Sequence, residues 1–494
     1  MNRKRRREWA CALAVCLAMA AVMLLFASQS SPLYPINEWA DANCLLTVGR
    51  VMRAGGVVYR DIYEQKGPTL YLLHALAACV SDSGFLGVYL METLSLTAAL
   101  FAAYRLFRLR AGRAWSLGGA AVWGAIVLIS PSFCKGDSAE EFCLPLLMAA
   151  MAVAYAEYGR RARPMRFAWL AFCGLMAGLI FTIKYTLLGA MLGICLCEGV
   201  LALREGGLRR AFKSAGVFLA GMVVPILLWG IYFVANGALG DAVTAYLTNN
   251  IFLYGDGALT LAEHVKEIAQ YMRQNALWVI PAAVGMGILL CDRGETRAVR
   301  LCMLAMLLGQ GVTVLLLGRV WRYSLLALAP FAAIGIMQAR RLVLRVGYPK
   351  KSSLRCGLTL GACALSLAAA WQFTPNAYLR GQKLENIAQE HLAAYIEPNA
   401  TLLQYSHLDD GLYLTTGILP REKFFVRLNV QYDVMRRELD RYVREGIPDY
   451  VLVSWNELPA EFMNYQLIAV DTGYDDDNRL NKALYLYRRI QRDG

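Results

Sequence analysis

Histidines and paired cysteine motifs are scarce in this sequence. The 494 residues include four histidines, and none of the 13 cysteines lies beyond Cys363. The sequence contains no pair of CxxC motifs, so we expect neither a structural zinc site nor a disulfide framework. A bridge among Cys44, Cys134 and Cys143, which lie near the predicted outer face, is left open by the sequence.

Polar residues are also too few for a soluble protein of this length. Charged residues make up 18% of the chain and hydrophobic residues 57%. A globular protein of this size would need far more polar surface to cover one or two cores. The hydrophobic residues come in blocks of about 20, the length that crosses the hydrocarbon core of a bilayer. The sequence therefore predicts a polytopic integral membrane protein.

The net charge of +13 does not indicate nucleic-acid binding, because the basic residues occupy short gaps between the hydrophobic blocks. Cytoplasmic loops of membrane proteins carry such an excess of Lys and Arg. We therefore expect no nucleic-acid partner and place these gaps in the cytoplasm. The gaps are residues 3–7, 105–113, 160–166, 204–213, 293–300 and 340–355.

Block length and charge together predict eleven spans, with the N-terminus inside and the C-terminus outside. The basic start at 3–7 is similar to a signal-peptide n-region, but no clean cleavage site follows, which favours an uncleaved first span. The stretch 67–82 is predicted as an interfacial helix, because a further crossing would put the arginines of 105–113 outside. The spans are about 8–28, 85–107, 113–131, 141–158, 166–182, 187–203, 212–236, 275–292, 299–317, 323–339 and 356–372.

Two predicted external segments, 29–84 and 237–274, are long. In the second, Thr260 and Glu263 form a capping-box pattern before hydrophobic residues at helical spacing, which predicts an amphipathic helix on the outer surface. The expected fold class is mainly α. It comprises about 11 transmembrane helices, interfacial helices in external loops 1 and 4, and a small C-terminal extracytoplasmic α/β domain.

The tail of the chain is more polar and more mixed than the rest. We predict a transmembrane domain at 1–374 and the extracytoplasmic domain at 375–494. Short apolar strands that alternate with helices favour a small α/β domain with some parallel pairing. Strands are predicted at 399–406, 421–428 and 448–455, and an amphipathic helix at 430–446.

External loop one carries acids and bases close to the membrane. Asp41 follows the first span, and a carboxylate there can act as a general base toward a hydroxyl or hold a divalent cation. Lys66 can neutralise a phosphate. The alternative is a solvated loop whose charges have no specific role, and we favour that interpretation for Glu38, Glu64 and Arg53.

Further candidates lie in short external loops. Glu140 is at the predicted mouth of span four, where an acid also offsets the helix dipole. Lys184 follows span five and can contact a phosphate or simply extend to the interface. Arg319 and Arg322, with Tyr323, precede span ten, and arginines are disfavoured in external gaps, so they indicate an anionic ligand.

Glu92 lies within span two, where an acid is either functional or held by a structural hydrogen bond.

Taken together, acids and cations from five segments collect at the predicted outer face. A lipid-linked phosphate in the outer leaflet would meet that arrangement.

Loop one also contains a recognisable motif. The stretch "DANCLLTVGRVMRAGGVVYRDIYEQKGPTLYLL" has an acid soon after span one, then G-x-x-Y-x-D, then K-G-P. It resembles the first external loop of bacterial GT-C glycosyltransferases, which are related to protein O-mannosyltransferases and aminoarabinose transferases. "GDSAEEFCLPLL", "GLIFTIKYTLLG" and "GRVWRYSLLALAP" are similar to later loops of that family. Ala139 replaces the usual Thr before Glu140, and Arg322 occupies the usual His position.

The resemblance implies sugar transfer from a polyprenyl-phosphate-linked donor to an acceptor hydroxyl, with inversion at the sugar carbon. The expected location is the outer face of a bacterial cytoplasmic (plasma) membrane. The expected partners are that donor, membrane lipids, and a glycan, lipid or protein acceptor. By similarity, Asp41 is the general base, Lys66, Lys184 and Arg322 hold the phosphate, and Tyr59, Asp61, Glu140 and Tyr323 shape the sugar pocket or support a cation.

Three questions stay open at this point. No cofactor is certain, and a divalent cation, if used, would have Asp41 and Glu140 as ligands. A lipid or glycan transporter or flippase of an envelope pathway is one alternative function, although such proteins usually show repeated halves and the chain has no evident repeat. A non-catalytic glycan-binding scaffold that uses the tail is the other.

Overall fold

The structure is a computed structural model that describes residues 3–160, 162–253, 260–316, 320–346, 351–475 and 480–490. The side chains at 341–346, 474–475 and 480–481 are outside the description. In chain order the α-helices are α1 (Arg3–Ala27), α2 (Ala40–Arg53), α3 (Pro68–Val80), α4 (Leu86–Phe107), α5 (Arg113–Leu128), α6 (Ala139–Arg160), α7 (Phe167–Lys184), α8 (Gly189–Ala235), α9 (Leu239–Ala242), α10 (Asn249–Phe252), α11 (Leu261–Gln274), α12 (Ala276–Cys291), α13 (Arg297–Leu315), α14 (Ala332–Val346), α15 (Ser352–Phe373), α16 (Ala388–Ala393), α17 (Leu412–Thr416) and α18 (Asp433–Arg444). Short 3₁₀ helices lie at Pro131–Phe133, Tyr185–Leu187, Arg322–Phe331, Pro375–Leu379 and Leu384–Asn386, and a π-helical stretch at Val243–Thr248.

Eight helices of the described chain are long and hydrophobic enough to cross a membrane. Among them, α8 has 47 residues and contains two helices joined at Gly206 and Gly207, whose dihedral angles are not helical. The pair α11 and α12, bent by 93°, passes the same test together, and α5 is a shorter apolar helix of 16 residues. Helices therefore lie at all eleven predicted spans, and the polytopic membrane fold is confirmed.

The two helices predicted in external loops are also present. Helix α3 has 13 residues and begins at a proline, as expected for a first-turn position. At the start of α11, Thr260 Oγ1 accepts a hydrogen bond from Glu263 N (3.3 Å), and Thr260 N donates to Glu263 Oε2 (2.9 Å). The predicted capping box is therefore confirmed. The placement of α3 and α11 at a membrane surface stays a prediction.

The chain divides into two compact units that alternate along the sequence. The bundle unit consists of Met1–Ser28, Leu90–Trp229 and Leu259–Tyr378. The loop–tail unit consists of Gln29–Tyr89, Gly230–Ala258 and Leu379–Gly494. External loop one and the tail therefore belong to the same unit, and the predicted domain boundary near residue 375 stays a prediction.

The loop–tail unit contains one four-stranded sheet. Its strands are β1 (Leu402–Gln404), β2 (Tyr450–Ser454), β3 (Tyr465–Asp475) and β4 (Leu480–Arg489), in the order β1-β2-β4-β3. Strands β1 and β2 pair in parallel, and the other two pairings are antiparallel. The small α/β tail and its partly parallel pairing are confirmed, as is the helix predicted at 430–446.

The strand predicted at 421–428 is wrong. Only an isolated bridge joins Arg427 to His407 in this segment. Instead, the main chain accepts a hydrogen bond from Tyr63 N at Lys423 O (2.8 Å), and the ring of Phe424 packs 5.2 Å from that of Tyr63. The apolar residues of this segment are therefore buried against external loop one, and the segment does not pair with the sheet as a strand.

Candidate functional site

Asp41 and Lys66 form the centre of the candidate site in the loop–tail unit. Asp41 lies in the first turn of α2, and Lys66 precedes α3. The Lys66 Nζ atom is 2.6 Å from Asp41 Oδ1 and 3.5 Å from Glu64 Oε1. The side chains of Asp41 and Lys66 are 13% and 14% exposed, whereas that of Glu64 is fully buried. The solvated-loop interpretation is therefore wrong for Glu64, which shares the cation with Asp41.

The charge of Lys66 is maintained by these neighbours. Burial alone favours a neutral amine, but the carboxylates of Asp41 and Glu64 hold the pKa of Lys66 well above its usual value. The site therefore contains an ammonium group at neutral pH. An ammonium beside a carboxylate places a phosphate-binding group and a proton acceptor in direct contact.

Main-chain contacts hold Lys66 in place. Tyr59 Oη donates a 2.6 Å hydrogen bond to Lys66 O, and Lys66 N donates to Glu64 Oε2 (2.9 Å) and Tyr71 Oη (2.8 Å). Tyr59 is 1% exposed and has φ +73°, a left-handed conformation that costs free energy in a bulky residue. Such strain persists where the surrounding structure over-determines it. The structure thus brings Tyr59, Lys66 and Asp41 together.

Asp61 holds a turn in the same loop. Its Oδ2 atom accepts a hydrogen bond from Val57 N (2.8 Å), and the guanidinium of Arg60 donates to both carboxylate oxygens (2.7 and 2.9 Å). The hydrogen bonds from Arg60 hold the pKa of Asp61 below its usual value. These contacts fix the turn that carries Tyr59. Asp61 therefore contributes to the site indirectly, by holding Tyr59 in position. Its contact with a sugar stays a prediction.

A second cluster of predicted residues lies in the bundle unit. Glu140 is in the first turn of α6, and Lys184 ends α7, with 2.6 Å between Lys184 Nζ and Glu140 Oε1. The Lys184 ammonium lies 5.3 Å from the ring centroid of Tyr323, within cation–π range. Arg322 precedes Tyr323 and begins the 3₁₀ helix Arg322–Phe331. The structure thus brings Glu140, Lys184 and Tyr323 together, while Arg319 lies outside the described residues.

One oxygen of Glu140 has no partner within the described chain. Glu140 is 1% exposed, and its Oε2 atom is buried without a hydrogen-bond donor among the described residues. An unsatisfied buried oxygen costs free energy that a ligand hydroxyl could recover. The donor set does not fit a metal ion, because the candidate ligands Asp41 and Glu140 are each neutralised by a lysine at 2.6 Å. Nor do the described residues contain a group of three or more His, Cys, Asp or Glu that could hold one.

Glu92 has structural hydrogen bonds. It is fully buried in α4, where its carboxylate accepts from Ser28 Oγ (2.9 and 2.8 Å) and from Asp137 N (2.8 Å). Gly136 has φ +89°, and a Cβ atom there would lie 2.4 Å from Ser28 Oγ and 2.5 Å from Glu92 Oε1. Glu92 therefore anchors the loop that leads to Glu140, and that loop needs glycine at position 136.

Comparison with known proteins identifies the fold. No protein-family model matches the sequence, and no curated protein sequence matches it. The structure is similar to that of ArnT from Cupriavidus metallidurans bound to undecaprenyl phosphate, with a TM-score of 0.61, 14% sequence identity and 97% of each chain covered. It is also similar to the apo state of that protein, with a TM-score of 0.59, 13% identity and 97% of each chain covered. The chain has the ArnT fold.

Within this ArnT-like fold, sequence reasoning missed the residues of the tail that contact α2. Asp409 N donates to Cys44 Sγ (3.3 Å), and Thr47 Oγ1 donates to Asp409 Oδ2 (2.7 Å). Arg50 is 1% exposed, and its guanidinium donates to the main-chain oxygens of Tyr413 (2.9 Å) and Gly417 (2.7 Å). The tail therefore packs on the helix that carries Asp41. Cys44 is a free thiol, as are Cys134 and Cys143, so the bridge left open above is absent among these described residues.

Proposed function

We propose that this chain is a membrane glycosyltransferase that moves a sugar from a polyprenyl-phosphate-linked donor to an acceptor hydroxyl at the outer face of a bacterial cytoplasmic membrane. The Asp41–Lys66 pair, at 2.6 Å, is the observation that carries the proposal. ArnT, an aminoarabinose transferase of the GT-C type, has undecaprenyl phosphate bound in its structure. A shared fold does not assign an activity, so the argument rests on what these two side chains can do.

Asp41 acts as the general base in this proposal. Its carboxylate takes the proton of the acceptor hydroxyl, and the hydroxyl oxygen forms a bond to the anomeric carbon of the sugar. The bond between that carbon and the phosphate oxygen breaks, and its electron pair leaves with the polyprenyl phosphate. Attack from the side opposite to the phosphate inverts the configuration, which is the outcome expected when one carboxylate activates the acceptor directly.

Lys66 and Lys184 stabilise the departing phosphate, together with Arg322. Each lysine is paired with a carboxylate at 2.6 Å, Lys66 with Asp41 and Lys184 with Glu140. The donor phosphate is a second anion that competes with Asp41 for the Lys66 ammonium, and it gains negative charge as its bond to the sugar breaks. Binding of the donor would draw Lys66 from Asp41 and leave that carboxylate ready to accept a proton. Donor binding and activation of the base are thereby coupled.

Tyr59, Asp61, Glu140 and Tyr323 define the sugar pocket in this proposal. The buried and unsatisfied Oε2 atom of Glu140 offers an acceptor for a sugar hydroxyl. The Tyr323 ring, already in contact with Lys184, offers an apolar face of the kind on which a sugar ring can pack. Tyr59 and Asp61 hold the loop of Lys66 in shape.

The test uses the purified full-length protein in detergent with native lipids and a crude membrane fraction as acceptor source. Wild type, Asp41→Asn and Lys66→Gln are incubated with a panel of radiolabelled polyprenyl-phosphate sugars, and release of free polyprenyl phosphate is followed. Loss of a general base lowers the rate by about 10²- to 10⁴-fold, so we expect near-complete loss in Asp41→Asn. Asp433→Asn, an exposed acid at the start of α18, is the matched control and keeps the wild-type rate.

Two outcomes would contradict the proposal. Retained turnover in folded Asp41→Asn would remove the base role. Absence of release by wild type from every donor, with acceptor membranes present, would remove the glycosyltransferase assignment itself. Transport of the same radiolabelled lipids across proteoliposomes would then be measured, since a flippase is the alternative that uses the same ligand.

A further inference from the structure

A large cavity opens in the bundle unit among helices α1, α4, α6 and α7. Its volume is about 910 Å³. None of the residues predicted for sugar transfer is among the described residues that line it. Many of its polar lining residues are basic and lie near helix ends: Lys4, Arg5, Arg105, Arg108, Arg113 and Arg160.

The rest of the cavity wall is apolar, and five alanines of two helices form part of it. Ala98 and Ala102 lie one turn apart on α4, and Ala149, Ala152 and Ala156 lie at spacings of three and four on α6. Residues at this spacing share one helix face. These small side chains on both helices line the cavity along its apolar part. The cavity thus combines a basic end with an apolar length.

The acids at the basic end neutralise only some of the cations. Glu8 pairs with Arg108 (3.0 Å) and Arg113 (2.7 Å). Glu157 pairs with Arg166 (2.6 Å). The cavity therefore retains positive charge beyond these three pairs.

Arg5 and Arg105 carry part of that surplus. The guanidinium carbon of Arg5 lies 5.1 Å, and that of Arg105 3.8 Å, from the ring centroid of Trp9. Neither arginine forms an ion pair with an acid of the described chain. Two like charges that share one indole ring repel each other, and an anion between them would relieve that repulsion.

We propose that this cavity binds an anionic phospholipid of the bilayer, with its phosphate between Arg5 and Arg105 and an acyl chain along the alanines of α4 and α6. The charge favours a lipid with a net negative headgroup over a zwitterionic one, whose ammonium would approach the same arginines. The apolar length favours a lipid over a soluble phosphate, which would leave the alanine-lined groove empty. The inference is independent of the proposed sugar transfer.

Trp9 provides the readout for the test, because it lies at the basic end of the cavity. Full-length protein is delipidated in detergent and titrated with phosphatidylglycerol or phosphatidylcholine, each brominated on its acyl chains. Quenching of Trp9 is obtained as the difference between each protein and its Trp9→Phe counterpart. The variant Arg5→Gln/Arg105→Gln is compared with Arg6→Gln/Arg7→Gln, which makes the same change in net charge on residues that do not line the cavity.

We expect half-maximal quenching of wild type at an at least tenfold lower concentration of phosphatidylglycerol than of phosphatidylcholine, roughly what two arginines near a headgroup contribute. Arg5→Gln/Arg105→Gln loses the preference, and Arg6→Gln/Arg7→Gln keeps it. Ala149→Leu, which fills the groove, weakens quenching by both lipids while the thermal midpoint is retained.

Three results would overturn the proposal. Equal quenching by the two lipids in wild type would remove the anionic specificity. Equal loss in the two double variants would reduce the effect to diffuse attraction by the basic N-terminus. Displacement of the lipid by millimolar glycerol phosphate would assign the site to a soluble phosphate.

Discussion

Thr47 donates a 2.7 Å hydrogen bond to Asp409, which lies 362 positions later in the chain. Both side chains are buried, with exposures of 1% and 0%. Because Thr47 is on the helix that begins beside Asp41, the tail and the proposed base are held by one set of contacts. The tail therefore contributes to the site by fixing α2, and disruption of its contacts is expected to affect the base.

The first prediction concerns the pH dependence of this contact. Burial raises the pKa of Asp409 from 3.8 to about 6, against the hydrogen bonds from Thr47 and Gly411 N, which lower it. Between pH 4 and 6 the folded protein then binds more protons than the unfolded chain, so this group adds stability as the pH falls from 6 to 4 and removes it as the pH rises. The effect is about 1 to 3 kcal/mol.

Asp409→Asn should abolish that contribution. The thermal midpoints of wild type and variant are measured between pH 4 and 8. We expect the wild type to gain relative to the variant at the acidic end. Asp433→Asn, an exposed acid of the same unit, should follow the wild-type profile, and parallel profiles for wild type and Asp409→Asn would contradict the buried titration.

The second prediction concerns Arg50. Its buried guanidinium contacts two main-chain oxygens of the tail and also Asp82 Oδ1 (3.1 Å). A lysine cannot reproduce this fork of donors. We expect Arg50→Lys to lower the free energy of unfolding by about 2 to 4 kcal/mol and to expose the tail to limited proteolysis.

Arg53 is the matched control for that variant. It pairs with the same Asp82 at 2.7 Å, but its side chain is 35% exposed. Arg53→Lys should therefore change stability by about 0.5 kcal/mol or less. If both variants are equally stable and equally resistant to protease, the tail is held to α2 by other contacts.

Local signals explain which parts of the fold could be predicted from the sequence. Spans follow from hydrophobic length and flanking arginines, and the start of α11 follows from Thr260 and Glu263, three residues apart. The segment 421–428 has a strand-like local pattern, yet contact with Tyr63 decides its structure. Strands β3 and β4 were not predicted, because residues such as Asp471 and Lys482 interrupt their apolar alternation.

For the candidate site, individual residues could be predicted from the sequence, but the contacts between them could not. Asp41 and Lys66 could be selected from charge and from the family resemblance, but their contact and the burial of Glu64 depend on how the loop folds. The main-chain partners of Arg50 in the tail lie more than 360 residues away, so no local pattern points to them. The features of the site that could not be predicted are therefore those that depend on contacts between distant parts of the chain.

The third prediction separates binding from stability at Glu140 and Lys184. Lys184→Gln leaves a carboxylate that is 1% exposed without its cation, which should cost about 2 to 4 kcal/mol of stability. Lys184→Gln/Glu140→Gln should regain most of that loss, because the buried charge is gone. Both variants should nevertheless show kcat/KM for the donor lowered by about 10²-fold, because the phosphate has lost an electrostatic partner.

Lys423→Gln is the control for this pair. Lys423 and Asp241 are 2.8 Å apart, but both side chains are about one-third exposed, at 35% and 33%. Loss of that pair should cost less than about 1 kcal/mol and leave donor turnover unchanged. If the double variant regains both turnover and stability, Lys184 only neutralises the charge of Glu140 and does not bind the donor phosphate.

The last prediction tests the close approach at Gly136. Alanine there must adopt φ +89° and would also place Cβ within 2.5 Å of Ser28 Oγ and Glu92 Oε1. Gly55 has a similar φ of +97° but no atom near its Cβ position, so Gly55→Ala meets the backbone strain alone, about 1 to 2 kcal/mol. Gly136→Ala should therefore lower the thermal midpoint clearly more than Gly55→Ala. Equal midpoints would mean that Glu92 does not hold this loop as closely as the structure shows, and the position of Glu140 at its end would have to be reconsidered.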